Sequence, residues 1–225
     1  RDSYSSSESS SRFLLLEMMK ILKKITAHNW LSSIYLNFKM LPFNQAIYLP
    51  LDCYGNVRFE KLSGKIILKT TQVYRGMIKI GSQGSDMFPK GESVLSIEGT
   101  VIFRGKCALG SSSVLVVKKH GLVDFGNNVI LGAKCLVFSE SSIIFKDYVL
   151  TSWNCQFLDS DTHRIFNSMT KMQYVNAKPI IIGSHTWVGN HVLFNKGAIV
   201  TNDTIIASNS FVNKDFSFSE SFCLL

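Results

Sequence analysis

The sequence predicts an all-β chain, a parallel β-helix with a basic, helical extension at its N-terminus. Three observations predict it. From Ile182 a large apolar residue recurs every six positions, at Val188, Phe194, Val200, Ile206 and Val212. The position after each is small or turn-forming (Gly183, Gly189, Asn195, Thr201, Ala207, Asn213), and the fifth is mostly small or β-branched (Thr186, Val192, Ala198, Thr204, Ser210). Two earlier stretches carry the same beat in other phases: Ile97, Phe103, Leu109 and Leu115, then Phe125, Leu131 and Val137. Neither a helix at 3.6 nor a strand at 2 gives a period of six. A short fixed repeat reads as a coil of very short strands stacked on one another.

Along the chain, residues 1–11 are serine-rich and low in complexity, and read as a disordered, tag-like stretch. The chain opens on Arg1, and Met18 or Met19 is the natural start. Residues 12–40 form a basic helical segment broken near Asn29. Leu15, Met19, Leu22, Leu31, Ile34 and Leu36 supply its apolar faces, with Lys20, Lys23 and Lys24 left to solvent. That pattern fits a helix packed on the body of the protein or one lying on a membrane surface. Residues 41–225 form the β-helical domain. Pro42 and Pro50 punctuate its start. Short strands then follow at 56–60, 65–69 and 77–80, set off by Gly55, Gly64, Gly76 and Gly81, and 82–92 is a polar loop. After the second and third phases, a one-residue slip places Ile144 at the next inward position. The beat fails over 151–179, and interruptions of a solenoid map to loops that often carry function.

Composition narrows the function. Hydrophobic residues make up 46% and charged residues 18%, which supports a packed core. The five Cys lack CxxC spacing and read as small apolar residues in a reducing compartment. Of the net charge of +8, seven sit in residues 1–90, with 13 Lys/Arg against 6 Asp/Glu; residues 91–225 hold 11 against 10. No basic stripe runs along the repeats, so a nucleic-acid partner is not expected. The basic N-terminal part suits an anionic lipid or acceptor. No apolar run is long enough to span a bilayer. The chain is therefore expected in the cytoplasm, with peripheral contact at the inner face of the membrane.

Two stretches carry a family resemblance: IIIGSHTWVGNHVLFNKGAIVTNDTIIASNSFVNKDF (180–216) and SWNCQFLDSDTHRI (152–165). Together they resemble the hexapeptide-repeat acyltransferases, in particular the sugar O-acetyltransferases of capsular polysaccharide and lipopolysaccharide. The resemblance covers about residues 40–217. It implies a left-handed coil, against the usual right-handed crossover, with three hexads per triangular turn. It also implies acetyl-CoA as co-substrate, a sugar or glycan hydroxyl (or amine) as acceptor, and a homotrimer with sites at subunit clefts.

By the same resemblance His163 is the general base. A hydroxyl attacks a thioester poorly until its proton is removed, and histidine suits that work near neutral pH. Asp159 and Asp161 are candidates to orient the imidazole; acceptor binding and a solvated loop stay open for both. Asn154 and Trp153 are candidates to hold the sugar, Trp153 by stacking or else as corner packing. Trp187 resembles a wall of the pantetheine tunnel. Asn190, Ser208, Asn213 and Lys214 are the CoA candidates, Lys214 as a point charge on a phosphate and Asn190 alternatively as a turn residue. Lys178 and Lys196 are further basic options. Backbone amides are the expected oxyanion donors, and Cys155 as an acyl carrier is the minor alternative.

No metal is expected. A zinc carbonic anhydrase of this fold needs three converging His, whereas His185 and His191 stand six apart and Asp203 and Asn209 occupy the positions eighteen further on. The remaining rival is a non-catalytic or truncated scaffold. It is kept open by FSFSESFCLL (216–225), which follows Asp215 where the family continues into a Gly-x-Pro-Ala segment.

Overall fold

A computed structural model describes residues 28–82, 87–88 and 91–218, and the backbone at 223–224. The expectations for residues 1–27 lie outside the described residues. The rest winds into a parallel β-helix with three flat faces. The first face stacks Leu51–Cys53, Ile78–Ser82, Cys107–Gly110, Val129–Leu131, Leu150–Thr151, Trp187–Val188, Ile205–Ile206 and Cys223–Leu224. The second stacks Asn56–Leu62, Glu92–Ile97, Val114–Val117, Leu136–Ser139, Gln156–Leu158, Leu193–Asn195 and Phe211–Val212. The third stacks Lys65–Leu68, Thr100–Phe103, Leu122–Phe125, Ser142–Phe145, Ile180–Ile182 and Ile199–Val200. The chain visits the faces in that order, and every strand pairs in parallel with the one a full turn away.

The repeat residues point inward. Ile182, Val188, Phe194, Val200, Ile206 and Val212 are all buried, as are Ile97, Phe103, Leu109, Leu115, Phe125, Leu131 and Val137. Stacking is direct: the rings of Phe103 and Phe125 lie 5.2 Å apart, Phe125 and Phe145 5.1 Å, and Phe157 and Phe194 4.9 Å. The coil length varies. Trp187 pairs with Ile205, a step of eighteen, but Leu136 pairs with Val114 and with Gln156, steps of twenty-two and twenty. The extra residues enter at corners, which explains the phase slips in the sequence.

Two expectations need correction. Ile144 faces outward, while its neighbours Ile143 and Phe145 are buried. Pairing of Phe145 with Phe125 settles this register, because a strand alternates faces at every residue. The interruption also starts later than 151. Leu150–Thr151 and Gln156–Leu158 remain regular strands, and Thr151, Cys155 and Phe157 are buried in the wall.

The corners explain the polar residues in the repeat. Ser112, Lys134, Asn154, His191 and Asn209 share a positive φ and form a ladder between the first and second faces. Asn128, Tyr148, His185 and Asp203 do the same between the third and first. Asn, Asp and His enter the left-handed region more readily than most residues.

A helix α1 (Trp30–Met40) follows the capping residue Asn29, whose side chain accepts from Ser32 N. Leu36 and Met40 enter the core, and the short helix α2 (Phe43–Ala46) buries Ala46. The polar residues of α1 close the first edge of the sheet. Asn37 donates to Leu51 O at 2.7 Å and accepts from Leu51 N at 3.1 Å. Ser33 Oγ accepts from Cys53 N at 2.8 Å, and Asn29 N donates to Cys53 O at 2.8 Å. An otherwise open strand edge is thus satisfied on its outer side. The opposite surface of α1 and α2 exposes Leu31, Ile34, Phe38, Phe43 and Ile47. Among the described residues no helix is long and apolar enough to cross a membrane.

Candidate functional site

Pairing fixes the size of the insertion. Gln156 pairs with Leu193, a step of thirty-seven against the eighteen of the next coil, so nineteen extra residues leave the wall. They leave at the corner between the second and third faces, after Leu158, and return at Ile180. Antiparallel bridges Ser160–Ala177 and Phe166–Gln173 make the excursion a hairpin-like arm. His163 lies on this arm, exposed, and its imidazole has no hydrogen-bond partner among the described residues. Ile165, Phe166, Met172, Tyr174 and Val175 are exposed around it, and Met169 at the arm's far end is 90% exposed.

The two carboxylates serve the root of the arm. Asp159 is fully buried and accepts from Ser139 Oγ at 2.7 Å, Glu140 N at 2.8 Å and Ser141 N at 3.0 Å. Burial pushes its carboxyl above the ordinary value, against the pull of these donors. Asp161 forms an ion pair with Lys196, whose ammonium also donates to Val175 O at 2.8 Å. Neither carboxylate contacts His163. Ser160, Glu140 and Asn176 complete the root: Ser160 Oγ donates to Glu140 Oε2 at 2.5 Å, and Asn176 Nδ2 to Ser160 Oγ at 3.1 Å. Lys178, Asn213 and Lys214 are exposed near this same corner.

The other candidates stand one face away. Asn154 is a left-handed corner residue, and its Nδ2 lies 3.1 Å from His191 Nε2. On the other side of that ring, Asn190 Nδ2 lies 2.8 Å from Nδ1. Ser208 Oγ donates to Asn190 Oδ1 and accepts from Asn190 N at 3.3 Å, tying two coils together. Trp153 packs on Phe88, with ring centroids 5.7 Å apart. It lines a cavity of about 240 Å³ with Leu150, Thr151, Gly110 and Gly132. A Cβ at Gly110 would lie 2.4 Å from the Gly132 backbone, so only glycine permits this floor. Trp187 is half exposed on the first face, in register with Leu150 and Ile205. Cys155 is fully buried; contact with Cys135 and burial push its thiol well above the ordinary range, which disfavours a thiolate nucleophile.

The candidates therefore form two groups within one chain. His163, Asp159, Asp161, Lys196 and Lys214 gather at one corner; Trp153, Asn154, Asn190 and Ser208 gather at the other. The second face between them is three residues wide at Gln156–Leu158, on the order of 10 Å. Among the described residues no three His, Cys, Asp or Glu side chains converge. His185 instead faces Asp203, with Nδ1 3.3 Å from Oδ1. Sequence reasoning missed Phe88, Glu140, Ser160 and Asn176. The turn lengths that bring them together are invisible until the coil steps are known.

Comparison with known proteins gives a direction. A stretch of 93 residues, 41% of this chain, is 26% identical to galactoside O-acetyltransferase of Escherichia coli (strain K12). The chain resembles the hexapeptide-repeat sugar O-acetyltransferases. The match spans 45% of that enzyme, so the chain covers about half the length of this relative. The crystal structure of the polySia-specific acetyltransferase NeuO superposes with a TM-score of 0.54 and 21% identity, over 73% of this chain and 68% of that one. That likeness identifies the fold as the left-handed parallel β-helix. No protein-family model matches the chain.

Proposed function

We propose that this chain is an acetyl-CoA-dependent acetyltransferase acting on a sugar hydroxyl, or an amine, in surface polysaccharide biosynthesis. The single observation that carries the reading is His163 on an arm inserted among the later, regular coils, in a chain whose sequence relative is named for acetyl transfer to galactosides. The relatives' names have sugar acetylation in common, one on galactosides and the other on polySia.

In this reading the His163 imidazole takes the acceptor O–H proton as the oxygen attacks the thioester carbonyl. Backbone N–H groups hold the resulting oxyanion. The C–S bond then breaks, and the imidazolium returns the proton to the departing thiolate. Asp159 and Asp161 act as positioning residues: they fix the arm's root and so aim His163. Trp153 and Asn154 face the acceptor, Trp187 walls the thioester arm, and Asn190, Ser208, Asn213 and Lys214 face the donor.

A complete site needs a second copy, because the two groups of candidates are a face apart in one chain. The apolar arm and the stacked outward row Ile130, Leu150, Trp187 and Ile205 support a trimer in which one subunit's His163 meets the neighbour's first face. The exposed apolar surface of α1 and α2 beside Lys39 supports peripheral contact with the inner face of the membrane.

His163→Ala tests the base. Thiol release from acetyl-CoA should fall at least about 100-fold with an accepted sugar, while the thermal midpoint stays put. Unchanged turnover removes the assignment. No turnover in the parent chain with any sugar favours the scaffold reading.

A further inference from the structure

On the first face, beside the Trp153 cavity and reaching one strand earlier, lies a larger cavity of about 460 Å³. The two share Ala108 and Ile130 in their walls, so they adjoin across the first face. The charge of the larger cavity is lopsided. Arg75, Lys79 and Lys106 line it, and Asp52 is the one carboxylate among its described lining residues. None of the three cations is in an ion pair with a described residue.

The Asp52 carboxylate is already engaged. It is 7% exposed, with His28 Nε2 3.0 Å from Oδ1 and the Tyr54 hydroxyl donating to Oδ2 at 3.4 Å. Gly76 lets the chain turn tightly over it at a positive φ of 66°, where a Cβ would stand 2.6 Å from Oδ2. Arg75 is held over the Trp30 ring, 4.3 Å from its centroid, which fixes the guanidinium without neutralising it. Lys79 projects from its strand in register with Ala108, beside the shared wall. Three exposed cations gathered around one cavity, with no carboxylate paired to them among the described residues, make that cavity attractive to an anion.

We propose that this cavity is an acceptor subsite for an oxyanion, a carboxylate or phosphate carried on the glycan some sugar units from the one acetylated. The inference rests on the acetyltransferase reading above for the identity of the bound molecule. The placement favours acceptor over donor. Lys79 lies three strands from Leu150 (Lys79 to Ala108, Ile130 and Leu150), about 14 Å at ordinary strand spacing. The donor candidates Asn190 and Ser208 lie in later coils, beyond Leu150 in the opposite direction. A sugar chain stacked on Trp153 and running toward the N-terminal coils would bring its charged groups over Lys79 and Lys106.

The double variant Lys79→Ala/Lys106→Ala tests this, since both side chains are exposed and support no described contact. The reading is the ratio of kcat/KM for an acidic oligosaccharide to that for a neutral one of equal length. It should fall about tenfold, the effect of losing two partly screened charge contacts. Uronic-acid and sugar-phosphate acceptors should both lose. An unchanged ratio overturns the proposal, and so does a rise in KM for acetyl-CoA alone, which would assign the cations to the donor's phosphates. Calorimetric binding of inorganic pyrophosphate gives an arm independent of catalysis. Binding lost in the variant, without acetyl transfer to any sugar by the parent, would sink the enzyme reading but keep the anion site. Active enzyme with equal pyrophosphate binding in both proteins would sink the anion site alone.

Discussion

Lys196 reaches back thirty-five residues to the Asp161 carboxylate, joining the wall of one coil to the base of the arm that leaves the coil before it. The same ammonium holds Val175 O, on the arm's returning limb. One side chain thereby ties both limbs of the His163 arm to a rigid neighbour.

Lys196→Met should free the arm without unfolding the wall. The pair is only partly shielded, with side-chain exposures of 22% and 20%, so the stability cost is about 1 kcal/mol or less. Trypsin should cut after Arg164 and Lys171 faster than in the parent, while the thermal midpoint moves by no more than about 4 °C. Unaltered cleavage would show that other contacts hold the arm.

Asp159 carries a pH signature. Burial raises its folded value above the ordinary 3.8, so the folded chain holds the proton more tightly than the unfolded one. This stabilisation is complete below about 3.8 and is lost as pH rises through the raised folded value. Asp159→Asn removes the slope. The parent's thermal midpoint minus the variant's should therefore fall as pH rises above the ordinary 3.8. A flat difference would place the folded value at the ordinary one.

Arg104 and Asp124 form a two-pronged ion pair on the third face, at 2.9 and 2.7 Å, with Asp124 only 6% exposed. Arg104→Met leaves a buried carboxylate without its partner and should cost about 1–3 kcal/mol. Adding Asp124→Leu should recover most of that loss, because the neighbours in its row, Ile102 and Ile144, are apolar. A double variant no more stable than the single one would count against this account.

Phe145→Ala and Ile144→Ala should separate cleanly in thermal unfolding. Phe145 is 1% exposed within a ladder of rings, and its truncation should cost about 3–5 kcal/mol. Ile144 faces outward, and its truncation should cost below about 1 kcal/mol. Equal costs would contradict the observed register.

These variants also mark how much the sequence discloses. The coils after Ile182 are legible because they run at eighteen residues per turn with no slip, so counting alone finds every inward position. At SSIIF the count fails. Ile143 and Ile144 are equally apolar, and only the stacking of Phe145 under Phe125 selects the register. Thr151 and Cys155 hide regular coil inside an apparent interruption, because small inward residues break the apolar beat without breaking the wall. The place of His163 on an excursion from the coils is legible from the failed beat around it. The attachments of Asp159 to Ser139 and of Asp161 to Lys196 are not, because each depends on coil lengths of twenty or thirty-seven that no local pattern announces.

The arm's root has a wider consequence. Ile143 pairs with Ile180, Leu150 with Trp187 and Gln156 with Leu193, all at one constant offset. Coils above and below therefore meet as though the nineteen residues were not there. The arm behaves as a cassette plugged into a single socket, formed by Glu140, Asp159 and Lys196. An arm of another length or tip that keeps that socket should therefore fit without altering the coils on either side of it.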